Sequence, residues 1–326
     1  MPEPRAPPRH PKPDAVPRRR RPASLATAVR PGVRGPCAGR QSGLAFAMVA
    51  DCRCGSDIVI KLYDNAFSPF ARKVRMVLEF KGLDFDSVDG LLKTNHDALK
   101  AVNGRIEVPA LTDDEIVVVN SADIVAYLEF RYPTKPVYPE SSAARVHARG
   151  WERAADTFID PILVDISYWK WADRPDQMPE GLLESARADL RLVYDALDSE
   201  LTDREFVSGP FSIADIALFP HLASAKAMEV EFSAQSHPNL TRWFKQMRTL
   251  PICAADSQRA RDYVVHMKDR DLEKKRIFWR GDRIEWILAR GFHPWFFKEI
   301  NEGRVLWPGL ALPASLNRNV AQLPLT

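Results

Sequence analysis

Cysteine is scarce in this chain, with only Cys37, Cys52, Cys54 and Cys253 among 326 residues. Cys52 and Cys54 form a C-x-C step with no second Cys/His pair nearby, which argues against a zinc site, and no metal is expected. So few scattered thiols point to a reducing compartment, and a cytoplasmic location is expected. Long apolar runs are also missing. No stretch reaches the roughly 18 residues of a membrane span, so a membrane is not an expected partner. A strong charge of one sign is absent too, because the formal net charge is only +3. Even that value is local. Residues 1–40 hold ten Lys/Arg against two acids, a balance of +8, which leaves −5 for residues 41–326. A mildly acidic body gives nucleic-acid binding no support.

What is present begins with an irregular segment, residues 1–56. Met1 to Pro22 carries eight prolines and the run Arg18-Arg19-Arg20-Arg21, with no apolar periodicity, so disorder is expected. A basic tail of this kind suits an anionic surface, a nucleic acid or an organelle transit peptide. The favoured reading is a start of translation at Met48, with the upstream residues a mis-assigned extension.

The organising stretch is Ile58 to Gly82. Ile58, Ile60 and Leu62 alternate as in a strand, and a short loop, Asp64 to Phe67, follows. Ser68-Pro69 then opens a helical pattern through Val74, Val77, Leu78 and Lys81, stopped by Gly82. Serine suits the N-cap and proline the first helical position. A hydroxyl is thereby held at the positive end of a helix, where an anion such as a thiolate is stabilised. Beyond it, Phe85 to Val88 reads as a strand and His96 to Val102 as a short helix. Glu107 to Leu111, an acidic turn at Asp113-Asp114, and the dense β-branched strand Ile116 to Val119 follow. That last strand is too apolar for a wet surface. Asn120-Ser121 leads into a helix from Ala122 to Arg131. The order β-α-β-α-β-β-α makes residues 57–133 an α/β domain.

Residues 134–141 read as a proline-marked linker, and residues 142–265 as an all-α domain. Trp151, Ala154, Ala155, Phe158 and Ile162 recur at helical spacing, with a kink expected at Pro161. Leu183, Leu190 and Leu197 stripe the next helix. Ser212 and Asp215 form a capping box inside Phe211-Ser212-Ile213-Ala214-Asp215-Ile216. Pro238 to Thr249 is a further helix. Residues 266–326 hold many aromatics among basic residues, including Phe278, Trp279, Trp286, Phe292, Trp295, Phe296 and Phe297. One or two helices packed on the second domain are expected, with a pocket lid, a membrane-surface helix or a dimer contact as alternatives. From Pro313 onward the chain reads as a loose tail.

The strand-loop-Ser68-Pro69 start, the tetrapeptide Val108-Pro109-Ala110-Leu111, Asn120-Ser121 before an apolar helix, and the Ser212–Asp215 box occur in the order of the glutathione transferase superfamily. The chain resembles that superfamily, as a bacterial serine-type member. The resemblance implies an N-terminal thioredoxin-like domain followed by an all-α domain. Glutathione would be the co-substrate, a small hydrophobic electrophile the second substrate, and the assembly a homodimer. It also implies that Ser68 hydrogen-bonds the glutathione sulfur and steadies the thiolate. Val108-Pro109 would be a cis step whose Val108 backbone pairs with the tripeptide. Asn120 and Ser121 would hold the γ-glutamyl end. Many relatives carry Glu, Gln or Asp where Asn120 stands, and Asn-Pro-x-Gly where this chain has Asn103-Gly104-Arg105-Ile106. The wall for the electrophile would come from Phe67, Phe70, Phe158, Ile162, Tyr168 and Trp169. Tyr63, used by other classes, reads as packing, and no cysteine lies in the loop. Alternatives are a glutathione-dependent isomerase, dehalogenase or ether-cleaving enzyme, or a non-enzymatic interaction module of the same fold. Zeta-class isomerases carry Ser-Ser-Cys where this chain has Ser68-Pro69-Phe70, which argues against that activity.

Overall fold

The computed structural model describes residues 60–171, 174, 178–272, 275–277 and 281–307. The readings of residues 1–56, of Met48 as a start, of Cys37, Cys52 and Cys54, of Ile58, of Phe278 and Trp279, and of the tail from Pro313 lie outside the described residues.

Alternation sets the first strand. In β1 (Ile60–Asp64) Ile60 and Leu62 are buried while Lys61 between them is exposed. The helix α1 (Pro69–Lys81) follows, and β2 (Phe85–Asp89) returns parallel to β1. After α2 (His96–Asn103), strands β3 (Ala110–Asp113) and β4 (Ile116–Val119) form an antiparallel pair, and α3 (Ser121–Arg131) closes the unit. The sheet order is β2-β1-β3-β4. β4 is therefore an edge strand. Ile116 is 37% exposed, and only Val117 of the four is fully buried. The expectation of a strand too apolar for a wet surface is corrected here, because an edge strand has a neighbour on one side only.

One face of α1 packs Val74, Val77 and Leu78 into the core. The other face is basic and yet buried, with Arg72, Lys73 and Arg75 between 1% and 5% exposed. Each finds carboxylates. Lys73 reaches Glu152 at 3.2 Å and Asp156 at 2.6 Å, Arg75 binds Asp64 at 2.7 Å, and Arg72 binds Asp256. Buried cations of this kind persist only when paired.

The helical part starts with α4 (Ser142–Ala154), capped by Ser141, and continues through a π turn (Ala155–Ile159) into α5 (Asp160–Trp171). Pro161 has no N–H, and its ring crowds the preceding turn. Directly upstream of the proline, where a kink is expected, the backbone runs as that wider turn. In α6 (Leu182–Glu200) Leu190 and Leu197 are fully buried, while Leu182 is buried and Leu183 only half-buried. At the head of α7 (Ile213–Leu222) the Asp215 carboxylate accepts from the backbone N–H groups of Ser212 and Val207, each at 3.0 Å, and from the Trp243 indole at 2.9 Å. α8 (Pro238–Met247) and α9 (Pro251–Val265) follow.

Beyond α9 come a two-residue strand β5 (Arg276–Ile277), α10 (Gly281–Ala289), α11 (His293–Asn301) and β6 (Val305–Leu306), which pairs with β5 in parallel. Several arginines of this segment pair with acids of the helical part, whereas Arg304 pairs with Glu299 of α11. Arg283 binds Asp160 at 2.8 Å, and Arg290 and the Trp286 indole share Asp189. Arg276 is buried beneath Tyr168, Trp169 and Trp295, with 4.1, 4.8 and 4.9 Å to the ring centres, and pairs with Asp165. Among the described residues no helix is long and apolar enough to cross a membrane.

Candidate functional site

The strand register brings the motif residues to one end of the sheet. Tyr63 pairs with Ala110, and Ala110 with Val119. The C-terminal ends of β1 and β4 and the N-terminal end of β3 therefore share an edge. The chain leaves β1 there through Asn65 to Ser68, enters β3 there through Val108-Pro109, and leaves β4 there through Asn120-Ser121. The N-termini of α1 and α3 consequently both face this end.

Ser68 is the N-cap of α1, and its Oγ accepts from the Ala71 N–H at 3.3 Å. An accepting hydroxyl keeps its own proton to donate. The Val108-Pro109 peptide is cis. Val108 packs with Tyr63, Ala71, Leu99 and Ala110 in a small apolar cluster behind the edge. Tyr63 is buried in that cluster, in keeping with a packing role.

Asn120 caps α3 by accepting from the Ala122 N–H at 3.2 Å, and it does so at φ 72°, ψ 124°. That backbone conformation is costly for a residue with a side chain, and such outliers concentrate at functional sites. Ser121 begins α3. Its hydroxyl is buried and has no hydrogen-bond partner among the described residues. A buried unpaired hydroxyl at a helix N-terminus is open to an acceptor such as a carboxylate.

The loop before Ser68 is held by Asn65. Its carbonyl accepts the Ser68 N–H at 3.1 Å, and its side-chain oxygen accepts the Phe67 N–H at 2.9 Å. Its amide nitrogen donates to Asp89 at 2.9 Å and to the Tyr263 hydroxyl at 2.8 Å. Tyr263 donates in turn to Asp89 at 2.9 Å. Burial and the neighbouring Asp89 push the Tyr263 phenol well above its ordinary range, so it stays a donor.

The six residues expected to wall the electrophile separate into two groups. Phe67 is 38% and Phe158 41% exposed, and Phe70 is buried edge-on against His221 at 6.1 Å. Ile162, Tyr168 and Trp169 are at most 1% exposed. They belong to the core of the helical part, where Trp169 packs on Trp295 at 5.1 Å and Arg276 covers both aromatic rings. A side chain with no accessible surface does not touch a ligand, so these three form no open wall in this conformation. The ring that does stand beside Phe67 is Tyr263, at 4.9 Å and nearly perpendicular. Sequence reading missed Asn65, Asp89 and Tyr263, because Asn65 and Tyr263 lie 198 positions apart and carry no shared motif. The one available signal was Leu250-Pro251, a proline at a first helical position that announces α9. Among the described residues no group of three or more His, Cys, Asp or Glu side chains is disposed to hold a metal.

Two family models match: the glutathione S-transferase N-terminal domain over residues 62–136, and the glutathione S-transferase C-terminal domain over residues 170–246. The chain is 27% identical to glutathione S-transferase GstB of Escherichia coli over 199 residues, which are 59% of this chain and 95% of that protein. It is also 27% identical to mouse (Mus musculus) maleylacetoacetate isomerase over 199 residues, 59% of this chain and 88% of the relative. Among solved structures, Ure2p5 of Phanerochaete chrysosporium, crystallised with 1-(S-glutathionyl)-2,4-dinitrobenzene, superposes with a TM-score of 0.58 at 20% identity. That alignment covers 65% of this chain and 99% of the other.

Proposed function

We propose that this chain, which carries both domains of the glutathione S-transferase superfamily, is a serine-type glutathione transferase that activates the tripeptide at the sheet end occupied by Ser68. The observation that carries the reading is the Ser68 cap. Its oxygen is engaged by the Ala71 N–H, which leaves the hydroxyl proton for a sulfur at the N-terminus of α1. A charge-assisted hydrogen bond contributes about 1.5–3 kcal/mol, which lowers a thiol pKa by roughly one to two units. An ordinary thiol near 8.5 then ionises close to neutrality. Its proton leaves to solvent. The thiolate forms a bond to an electrophilic carbon, and the leaving group departs with the bonding pair.

The remaining contacts suit the tripeptide. Val108, ahead of the cis proline, offers backbone groups at the strand entrance, as an added strand would use them. Ser121 offers its unpaired hydroxyl to the γ-glutamyl carboxylate. Asn120 brings no charge to the glutamyl ammonium, so that contact is weaker than an acid would make. Phe67, Phe70 and Phe158 are the candidates for the electrophile side.

A second reading is favoured by one specific observation. Tyr168 and Trp169 are closed over by Arg276, Trp169 also packs on Trp295, and Ile162 is fully buried, which leaves little apolar wall for a second substrate. A transferase-fold interaction module, without conjugating activity, fits that closure. Retention on immobilised glutathione followed by conjugation of an aryl halide separates the two. The enzyme is retained and loses turnover on Ser68→Ala. The module shows no Ser68-dependent turnover.

A further inference from the structure

The segment that follows α8 reaches back to the Ser68 loop, and it lies beyond residue 246, where the family match ends. Its contacts there are specific. Tyr263 accepts from Asn65 and donates to Asp89. Arg270 lies 4.1 Å above the Tyr263 ring and 3.4 Å from the Asp89 carboxylate. Leu272 forms a bridge with Leu92, and the Lys93 N–H donates to the Asp271 carbonyl at 3.1 Å. The segment is thus tied down on both sides of β2's exit.

We infer that Tyr263 is a positioning residue for Ser68: its hydroxyl, held by Asp89 and clamped under Arg270, fixes the Asn65 side chain that orients the Phe67-Ser68 backbone. The inference rests on the reading of Ser68 as the partner of the glutathione sulfur. The chain of contacts is short. Asn65 has one amide group with two protons, and both are used, on Asp89 and on Tyr263. With the amide so anchored, its oxygen faces the Phe67 N–H and its carbonyl the Ser68 N–H. Removal of the phenol oxygen leaves one amide proton buried without an acceptor and Asp89 short of a donor. The first defect lies on Asn65, within the loop that carries the Ser68 hydroxyl, and the second lies one hydrogen bond from it. The Tyr263 ring also packs against Phe67, so the same residue shapes the approach to Ser68.

The test uses the full-length chain. Tyr263→Phe keeps the ring against Phe67 and under Arg270 and removes only the oxygen. Arg270→Gln loosens the clamp. Leu192→Ala, on an exposed face of α6, is the control. Amide hydrogen exchange at Phe67 and Ser68 and the pH titration of bound glutathione thiolate are read together. A lost hydrogen bond corresponds to roughly a fivefold change. Tyr263→Phe is expected to speed exchange at both amides by about fivefold and to raise the glutathione thiol pKa correspondingly, with a smaller change for Arg270→Gln and none for the control. Unchanged exchange in Tyr263→Phe and Arg270→Gln overturns the inference. So does faster exchange with an unmoved thiol pKa in a chain that binds glutathione, since that is a merely structural role. If the unmodified chain does not bind glutathione, the functional reading of the site falls separately, and the exchange rates alone decide whether Tyr263 positions the loop.

Discussion

Arg72 and Asp256 meet as a fork on a carboxylate. The Arg72 Nε lies 3.0 and 3.1 Å from the two Asp256 oxygens, and its Nη2 lies 2.6 Å from one of them. Arg72 stands four positions past the Ser68 cap, and Asp256 lies in α9. The third arm of the fork, Nη1, donates to the Pro220 carbonyl of α7 at 3.0 Å. One guanidinium therefore joins the first turn of α1 to two helices of the second part.

Breaking this pair from one side leaves a buried charge alone. Asp256→Ala is expected to destabilise the chain by about 3–5 kcal/mol, whereas Arg72→Met with Asp256→Leu together cost much less. Urea unfolding of the two single variants and the double variant reads the difference. A double variant that costs the sum of the two single variants would mean that the pair is not coupled.

Asp215 sets a pH signature. Burial pushes its carboxyl up to about 6, opposed by the donors from Val207, Trp243 and Ser212. A folded-state pKa above the unfolded value means that the folded chain holds a proton the unfolded one has released. The contribution of this carboxyl to stability is thus full below about pH 4, declines as pH rises through about 6, and then levels, with a total near 3 kcal/mol. Asp215→Asn removes that slope. Unfolding midpoints of both proteins at pH 4, 5, 6 and 7 are expected to converge at the acid end after the constant cost of the altered hydrogen bonds. Parallel profiles would refute the assignment.

Ser121 separates binding from stability. Its hydroxyl has no partner to lose among the described residues, so Ser121→Ala should change stability by less than about 0.5 kcal/mol. On the proposed reading the same change takes away the donor to the γ-glutamyl carboxylate and is expected to weaken glutathione binding by roughly tenfold. Calorimetric titration and thermal unfolding report the two quantities separately. A stability loss with unchanged binding would reverse the role assigned to it.

Arg276 holds the C-terminal helices. Burial pushes its pKa down and pushes the Asp165 carboxyl up to about 7, with each partner opposing the shift of the other. Arg276→Met leaves Asp165 buried without its cation. A loss of about 3–5 kcal/mol is expected near neutral pH and a smaller one in acid, where Asp165 is protonated. Tryptophan fluorescence from Trp169 and Trp295, which share the Arg276 contact, is the direct readout.

Much of the fold was legible because its signals are local. Ser68-Pro69 and Gly82 bracket α1 through backbone rules that act over a few residues, and the Ser212–Asp215 box does the same for α7. The cis step at Val108-Pro109 came from the resemblance, not from periodicity. What stayed hidden depends on long-range pairing. Nothing in the local spacing of the basic residues of α1 announces their partners: Lys73 and Arg72 are buried against carboxylates 79 and 184 positions away. Tyr168 and Trp169 carry the same aromatic pattern whether they face a pocket or a core, and Arg276, more than a hundred positions later, decides for the core. The exposure of Ile116 follows from β4 being at the sheet edge, which strand composition does not reveal.

The most direct test is the ultraviolet titration of glutathione thiolate bound to the unmodified chain and to Ser68→Ala. A hydroxyl that donates to the sulfur predicts a bound thiol ionising roughly one to two pH units below free glutathione, and a return toward the free value in Ser68→Ala with the tripeptide still bound. An identical titration in the two proteins would contradict the account, because the sulfur would then owe nothing to the oxygen of Ser68.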